Sequence, residues 1–399
     1  MVIPQNILYA LSSLEKNGFE AYLVGGCVRD MMMNKTPSDF DITTNALPEE
    51  IINCFPDKKC VLSGMKHGTV APIINHEAVE ITTYRIDGEY KDSRHPEEVY
   101  FTKKIEEDLS RRDFTVNAMA MGKGFNVTDP FFGKKDIENK IIRCVGEAER
   151  RFSEDALRIM RALRFSSTLS FNIEKETKKG ILKLYHLLSN IAKERIFTEL
   201  KKLIMGKNAG ENLWEYKEVF LYIMPHLSKI PEEKYYENAK RIASCDIAVA
   251  FAILFDGLSE KEAGETLSAL KTDRALKNKV LRLFEDRNAD IYDEIKLSLY
   301  LKNREIQDAE RLICYLFSLK AITDCEKKCL FLLLENVKNN CVRIKDLDIN
   351  GGDLEKEGLF GSEIGKILNE LLDAVITKKC KNEKEELLKL TKELFNRYY

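Results

Sequence analysis

The stretch that decides the fold is YLVGGCVRDMMMNKTPSDFDITT, residues 22–44. Gly25 and Gly26 follow the β-prone run Ala21–Val24 and precede a short run typical of a helix, Cys27–Met33. A second β-prone run, Phe40–Thr43, follows directly after Asp39. Strand, glycine pair, helix and second strand in so short a segment predict a mixed α/β unit built around one sheet.

Two acidic side chains, Asp39 and Asp41, stand one residue apart at the second strand. Side chains at i and i+2 of a strand share one face, roughly 6.5–7 Å apart, whereas Phe40 between them is directed into the core. Two carboxylates so placed repel each other unless a cation lies between them. Two Mg²⁺ ions about 3.5–4 Å apart would fit, because they take oxygen ligands and serve phosphoryl transfer. Taken alone, the pair could equally be two solvated acids at a strand end.

The glycine pair adds a second element of the same chemistry. A glycine turn between a strand and a helix lets the backbone approach a ligand closely, and the helix N-terminus favours phosphate. Arg29 lies in the first turn of that helix, where its guanidinium could reach a phosphate or a ribose. We therefore expect a triphosphate at Gly25 and Gly26, with metal ions on the neighbouring strand.

The rest of the chain divides by its periodicity. Up to about residue 145, further β-prone runs at 69–74 and 79–84 and a helix start at Pro48 continue the α/β pattern. Beyond it, apolar residues recur at i, i+3, i+4 and i+7, the pattern of amphipathic helices. The expected fold is α+β, with a mixed-sheet head followed by an all-α remainder. The expected parts are a head at 1–145, a neck at 146–205, a body at 206–335 and a tail at 336–399.

Charge and cysteine content indicate which partners and which cellular compartment the protein is expected to have. The net charge of the 399-residue chain is −2, yet residues 147–207 contain fourteen Lys and Arg against eight Asp and Glu. Such a basic segment suits RNA or polyphosphate, although a solvated helix surface would also explain it. The ten cysteines are dispersed and no Cys or His pair has zinc spacing, so we expect reduced thiols and no zinc. No 18-residue apolar run and no signal-peptide core occur, so we expect a cytoplasmic protein without a membrane span.

These motifs resemble those of class II nucleotidyltransferases of the polymerase β superfamily, the group of the tRNA CCA-adding enzymes and bacterial poly(A) polymerases. The resemblance rests on LVGGCVRD and SDFDITT and covers nearly the whole chain. It continues through GMKHGTVAPII (64–74), VEITTYR (79–85), RRDFTVNAMA (111–120), EDALRIMRALRF (154–165) and INGGDLEKEGLFGSEIGKILNELLDAV (349–375). It implies a tRNA nucleotidyltransferase that adds CCA to the tRNA 3′ end from CTP and ATP and releases pyrophosphate. The implied mechanism uses two Mg²⁺ ions held by Asp39 and Asp41.

Residues of the EDALR segment are expected to select the base of the incoming nucleotide. Ser153 is a good N-cap for a helix on which Asp155, Arg158, Arg161 and Arg164 recur every three residues. A carboxylate can accept from the amino group of cytosine or adenine while an arginine donates to the ring acceptors. Uracil and guanine present a carbonyl where the carboxylate needs a donor. The resemblance implies that Asp155 and Arg158 select the base and that Arg161 and Arg164 help to hold the nucleotide, whereas an isolated helix with this pattern would more often be a salt-bridged surface.

Further site residues come from the same resemblance. Arg112 matches the nucleotide-binding arginine of the family. Asp113 and Asn117 look like ribose or positioning contacts, although Asn117 could equally cap a turn. Glu80, on the strand after the HGTV run, is a candidate third carboxylate.

The exact product stays open between related activities. The segment RIDGEYKDSRHPEEVYFTKK (85–104) matches the loop that lets the family change from CTP to ATP, which disfavours an enzyme restricted to CC addition. An enzyme that adds only the terminal A would keep this loop, and a poly(A) polymerase is a weaker alternative. A non-catalytic RNA-binding module would have no use for paired carboxylates. The helical remainder is expected to hold the tRNA elbow through shape and phosphate contacts, and the oligomeric state is not predicted.

Overall fold

The computed structural model describes residues 3–88, 99–242 and 246–398. The chain forms two compact units. The first comprises Met1–Pro231 and Thr266–Thr272, and the second comprises Glu232–Glu265 and Asp273–Tyr399. The four expected parts, with boundaries at 145, 205 and 335, are a finer division and stay a prediction.

The strands lie in the first unit. In chain order they are β1 (Ala21–Val24), β2 (Asp41–Thr44), β3 (Cys60–Val61), β4 (Thr69–Ile74), β5 (Glu77–Ala78), β6 (Ile81–Thr83), β7 (Arg85–Asp87), β8 (Val99–Phe101), β9 (Ala120–Met121), β10 (Val127–Thr128), β11 (Ile141–Ile142) and β12 (Asn172–Ile173).

Eleven described helices lie in the segment Met1–Pro231 of the first unit. They are α1 (Gln5–Lys16), α2 (Gly26–Met32), α3 (Pro48–Asn53), α4 (Ile105–Ser110), α5 (Gly133–Glu138), α6 (Ala148–Glu154), α7 (Leu157–Leu169), α8 (Lys175–Leu184), α9 (Lys193–Ile204), α10 (Ala209–Glu215) and α11 (Lys217–Ile223).

The remaining described helices follow residue 231. They are α12 (Glu232–Arg241), α13 (Ile247–Leu254), α14 (Glu260–Ala269), α15 (Arg274–Asp286), α16 (Glu294–Leu301), α17 (Ile306–Ser318), α18 (Asp324–Val337), α19 (Gly351–Lys356), α20 (Ser362–Ile376) and α21 (Lys384–Tyr398).

The main sheet has eight strands and is mixed, as the sequence predicts. Seven strands follow the order β10-β9-β1-β2-β6-β4-β3, and β5 pairs with β4. The pair β2–β6 is parallel, whereas β1 pairs antiparallel with both β2 and β9. The first and second strands therefore lie side by side, with Val24 opposite Asp41. This register places the end of β1, where the glycines follow, beside the start of β2, where the acids lie.

Both faces of the sheet are covered, and β1 contributes to each. Ala21 and Leu23 belong to the larger core, which includes buried residues of α1, α2 and α3. Val24 packs on the other side, in a smaller cluster with Leu109 of α4. This alternation follows from the two-residue period of a strand. The expected α+β class is confirmed.

The second unit is helical in its described part. The α13 sequence IAVAFAIL is apolar on all sides, and every residue from Ala248 to Leu254 is buried. A helix without a polar face belongs inside a core, and α13 packs against α15 and α17. A separate cluster is formed by α19, α20 and α21, with Leu354, Leu371 and Leu387 buried in it.

Three local expectations were wrong in detail. The second strand begins at Asp41 rather than Phe40, so Asp39 precedes it. The run expected as one strand at 79–84 forms only β6, because β4 turns at Asn75 and His76 into the two-residue β5 before the chain continues. A short strand also occurs beyond residue 145, where β12 pairs in parallel with β11.

Core packing gives a test within one helix. Leu11 of α1 is fully buried, whereas Leu8 of the same helix is exposed. Replacing Leu11 with alanine should lower the free energy of unfolding of the first unit by about 2–5 kcal/mol, because it leaves a cavity. The same change at Leu8 should shift it by no more than about 0.5 kcal/mol. Urea denaturation of both variants measures the difference, and equal midpoints would contradict this packing.

Candidate active site

The glycine turn brings three elements together. Gly25 has φ 76° and ψ −133° and is the N-cap residue of α2. A Cβ at Gly25 would lie 3.1 Å from Nη1 of Arg112 and 4.0 Å from Oδ2 of Asp41. Glycine is therefore favoured here for two reasons, its positive φ and the close approach of a guanidinium. The turn, Arg112 and the first acid of β2 thus form one site.

The acidic residues open into one cavity of about 850 Å³. Asp39, Asp41 and Glu80 all line it and are all exposed. Glu80 directly precedes β6, and its carbonyl oxygen accepts a hydrogen bond of 3.1 Å from the Ile42 backbone N–H. The structure thus places the candidate third carboxylate directly before β6, the strand that pairs with β2.

Burial dominates the electrostatics of Asp41. Although much of Asp41 is exposed, the protein that surrounds it removes water and raises its pKa. Arg112 lowers the pKa and the negative charge of Asp39 raises it by less, so the pKa lies above its ordinary value because of burial. Such a pair of carboxylates gains stability from an added cation. Within residues 3–88, 99–242 and 246–398, however, no group of three or more His, Cys, Asp or Glu side chains has a geometry suited to a metal ion.

Asp113 is the centre of a buried network. Its Oδ2 accepts from Nε and Nη2 of Arg161, at 2.8 and 2.6 Å. Its Oδ1 accepts from the Phe114 backbone N–H at 2.8 Å and from Nδ2 of Asn117 at 3.2 Å. The Asn117 side chain also accepts from Nη1 of Arg29 at 2.8 Å. Burial alone would raise the pKa of Asp113, but Arg161 and these hydrogen bonds lower it to about 2.

Arg29 is part of this network rather than of an open surface. It is buried, and its Nε and Nη2 donate to Oδ1 of Asp30 at 2.9 and 2.7 Å. With its third nitrogen bound to Asn117, every nitrogen of the guanidinium donates to a protein side chain. Its contact with a phosphate or ribose stays a prediction, and the observed role is to hold α2 against Asn117.

The helix expected to begin at Ser153 is broken instead. Ser153 lies inside α6 and its hydroxyl donates to the carbonyl oxygen of Glu149, so the N-cap prediction was wrong. Asp155 is extended, with φ −141° and ψ 103°, and the helix resumes as α7 at Leu157. Oδ1 of Asp155 accepts from the Leu157 backbone N–H at 3.0 Å. A short acidic side chain takes the capping role that was expected two residues earlier.

Arg158 is the first of three arginines on α7. It is buried, and its Nη1 donates to Oε2 of Glu154 at 3.0 Å. Its Nη2 donates to the backbone oxygen of Arg111 at 3.0 Å. The i, i+4 pair with Glu154 is thus present, yet it is buried rather than a solvated surface pair. It joins α6, α7 and the end of α4 at one point.

Arg161 and Arg164 surround Phe165 and Glu199. Cζ of Arg164 lies 3.7 Å from the centroid of the Phe165 ring, and that of Arg161 lies 5.4 Å from it. Nε of Arg164 is 2.5 Å from Oε2 of Glu199. The four residues expected in a row on one helix are therefore divided. Asp155 lies outside α7, and the arginines are held by acids from other segments.

Sequence reasoning did not assign four charged residues to this site. Asp108 binds Arg112, Glu154 binds Arg158, and Glu199 lies beside Arg164. Nη2 of Arg195 is 3.6 Å from Oδ2 of Asp155. The i, i+4 spacings of Asp108 with Arg112 and of Glu154 with Arg158 were visible signals. Glu199 and Arg195 lie on α9, far along the chain, and had none.

The segment expected as the nucleotide-switching loop, 85–104, is described only in part. Its residues 89–98 lie outside the described residues. The flanking strands β7 and β8 pair antiparallel, with Ile86 opposite Tyr100. In the part of the chain that the structure describes, no helix combines the length and hydropathy of a membrane span.

Comparison with known proteins decides the family. Residues 21–143 match the family model "Poly A polymerase head domain", and residues 244–391 match "tRNA nucleotidyltransferase domain 2 putative". A CCA-adding enzyme of Leuconostoc citreum is 37% identical over 98% of this chain and 97% of its own length. The chain belongs to the family of CCA-adding enzymes.

Two further relatives agree with this assignment. A CCA-adding enzyme of Staphylococcus haemolyticus is 34% identical over 96% of each chain. The crystal structure of the Bacillus stearothermophilus CCA-adding enzyme in complex with CTP is 28% identical, with a TM-score of 0.79 over 100% of this chain and 99% of that one. The nucleotidyltransferase assignment made from the sequence is confirmed, and the chain is an enzyme of this family.

The buried pair of Asp113 and Arg161 predicts a pH dependence. The folded-state pKa of Asp113, about 2, lies below the value of ~3.9 for an unfolded chain. Its ionised form therefore contributes stability that is fully present above about pH 5 and is lost as pH falls from roughly 4 towards 2.

Asp113→Asn should be less stable than the wild type at pH 7, because Arg161 loses its charged acceptor. Urea midpoints of both proteins between pH 3 and 7 measure the difference. The gap should narrow below about pH 4, and a gap that stayed constant to pH 3 would contradict the lowered pKa.

Proposed function

We propose that this protein completes tRNA by adding CCA to its 3′ end from CTP and ATP, with release of pyrophosphate. The observation that carries the proposal is the contact of Gly25, Asp41 and Arg112, because a glycine turn, a guanidinium and an acid pair suit a triphosphate beside a reacting hydroxyl. Family membership narrows nucleotidyl transfer to CCA addition.

The nucleotide phosphates would lie at the glycine turn. Gly25 leaves the backbone accessible, and Gly26 begins α2. Arg112 offers a charged fork beside them, directed by its hydrogen bond to Asp108. The α-phosphate would then face the cavity that Asp39 and Asp41 line, where the 3′-hydroxyl of tRNA would arrive.

Asp39 and Asp41 fit magnesium as ligands. Both are carboxylates open to one cavity, and burial together with the charge of Asp39 keeps the pKa of Asp41 raised despite the nearby Arg112. When bound, divalent ions would supply a lowered pKa for the attacking hydroxyl and charge stabilisation for the leaving pyrophosphate. We assign Glu80 a supporting place in this cavity.

Base selection is assigned to Asp155 and Arg158. A carboxylate that accepts only, beside a guanidinium that donates only, matches the Watson–Crick edge of cytosine and, after a small shift, that of adenine. Both side chains are held by protein contacts, Asp155 by the Leu157 N–H and Arg158 by Glu154. Such fixed polar groups reject uracil and guanine, because a carboxylate facing a carbonyl has no hydrogen bond.

The helical parts are assigned to tRNA binding. The neck, with its excess of basic residues, would hold the acceptor end, and the body and tail would hold the elbow. Phosphate and shape contacts suffice, because every tRNA must be accepted regardless of sequence.

One experiment tests the reaction directly. Purified protein is incubated with tRNA lacking its 3′ end, tRNA ending in C and tRNA ending in CC, each with a single labelled nucleotide. We expect CMP on the first two and AMP on the third. AMP on the third alone would favour A-only addition, continued AMP addition would favour a poly(A) polymerase, and no incorporation would contradict the proposal.

The carboxylate assignment gives a mutational test in the same assay. Asp39→Asn and Asp41→Asn should each reduce incorporation by at least ~10²-fold while leaving the melting temperature nearly unchanged, because both side chains are exposed. Asp57→Asn, an exposed acid of the same head, is the control and should keep full activity. Full activity in either site variant would refute the metal assignment.

The assignment of base selection to Asp155 predicts a loss of fidelity when its side chain is removed. Asp155→Ala should raise the incorporation of UMP and GMP relative to CMP and AMP by roughly ten- to hundredfold, because the group that rejects carbonyls is gone. Glu149→Ala, which removes an exposed acid of α6, is the matched control. Competition between labelled nucleotides measures the ratio, and unchanged discrimination in Asp155→Ala would remove this residue from base selection.

A further inference from the structure

Asp108 is a completely buried acid that the expected site did not include. It lies on α4, and its exposed fraction is 0%. A buried carboxylate is costly unless several donors surround it. Oδ2 of Asp108 accepts from Nη2 of Arg112 at 3.3 Å, and Oδ1 accepts from Nε of Arg111 at 2.9 Å. Oδ1 also accepts from the Arg85 backbone N–H at 3.3 Å.

On its other side, Arg112 reaches the nucleotide site. Its Nη1 would lie 3.1 Å from a Cβ at Gly25, and its charge lowers the pKa of Asp41. The guanidinium is therefore held between an interior carboxylate and the cavity. Because the fork is planar, one fixed nitrogen restricts the direction in which the others can donate.

The Arg85 contact connects this carboxylate to the base of the β7–β8 pair. Arg85 begins β7, and its Nη1 donates to the carbonyl oxygen of His67 at 2.5 Å. On the partner strand, a ring atom of Phe101 would lie only 2.8 Å from a Cβ at Gly68. The two strands are thus anchored at their base by close packing as well as by Asp108.

Arg111 extends the connection to Arg158, which is assigned to base selection. Its side chain binds Asp108, and its backbone oxygen accepts from Nη2 of Arg158 at 3.0 Å. One buried carboxylate therefore has contacts that lead to three places: the arginine beside the triphosphate, the base of the β7–β8 pair and the arginine assigned to base selection.

We propose that Asp108 is a positioning residue that orients Arg112 for the incoming nucleotide and fixes β7 and Arg111 around it. The inference rests on the proposed function, since it assigns Arg112 to the nucleotide. Asp108 itself touches no substrate and acts through Arg112. Arg111 and Arg112 lower its pKa against the effect of burial, so the carboxylate is ionised at neutral pH and presents a full negative charge.

The test measures nucleotide binding separately from turnover. Asp108→Asn keeps the shape of the side chain but removes the charge that holds Arg112. We expect its Kd for CTP and for ATP, measured by calorimetry without tRNA, to rise on the order of tenfold or more. The control is Asp308→Asn, a buried acid held by Arg282 and Arg311 in the second unit. It suffers the same chemical loss and should keep the wild-type Kd.

A double-variant comparison distinguishes positioning from general support of the fold. If Asp108 acts through Arg112, then Arg112→Gln and Arg112→Gln with Asp108→Asn should bind CTP equally weakly. Losses that add, or a wild-type Kd in Asp108→Asn, would overturn the proposal. A wild-type protein that neither binds CTP nor extends tRNA would overturn the proposed function as well, so the two failures are distinguishable.

A second variant covers the case in which Asp108→Asn does not fold. Asp108→Asn with Arg111→Met also removes one of the two guanidinium groups that would be left without their buried acceptor. We expect this double variant to melt cooperatively and to show the same weakened binding of CTP and ATP. Wild-type affinity in a folded double variant would overturn the positioning role.

Discussion

The candidate active site depends on the close approach of the Arg112 guanidinium to the backbone at residue 25. Any side chain at that position would meet Nη1 at 3.1 Å, and the residue also has a positive φ. Because β1 and β2 pair with Val24 opposite Asp41, the same turn is placed beside the acid. The glycine turn and the carboxylate thus depend on one strand register, and a shift by one residue would separate them.

A second feature is the number of charges that the site keeps away from water. Asp108, Asp113, Arg29 and Arg158 are all buried, and each has charged or polar partners at hydrogen-bond distance. Replacing such a network with apolar residues would often be neutral or would stabilise the fold. The network is therefore better explained by the fixed positions that it gives to its side chains than by a gain in stability. Fixed side chains need no reorganisation when a substrate binds, which is how polar groups contribute most to catalysis and selection.

Local patterns predicted the framework well, and they failed where long-range contacts decide. The bounds of β1 and β4 were predicted without error, because alternation and turn residues carry that information. The N-cap at Ser153 was wrong, because Ser153 lies inside α6 and Asp155 takes the capping role. Arg29 is predicted to reach a phosphate or a ribose from its place in a first turn, and that contact stays a prediction. Its burial against Asn117, far along the chain, had no local signal.

The amino-acid sequence by itself determined the α+β division, the glycine turn, the acid pair and the family, since all of these follow from local spacing and ordered motifs. Only the tertiary structure decided the pairs of acid and arginine that are distant along the chain. Asp113 with Arg161, Glu199 beside Arg164 and the place of Arg112 between Asp108 and Asp41 join segments that are mostly distant along the chain. The physical reason is that a buried charge must find a partner in space, and many charged residues of suitable type compete for it until packing fixes their positions.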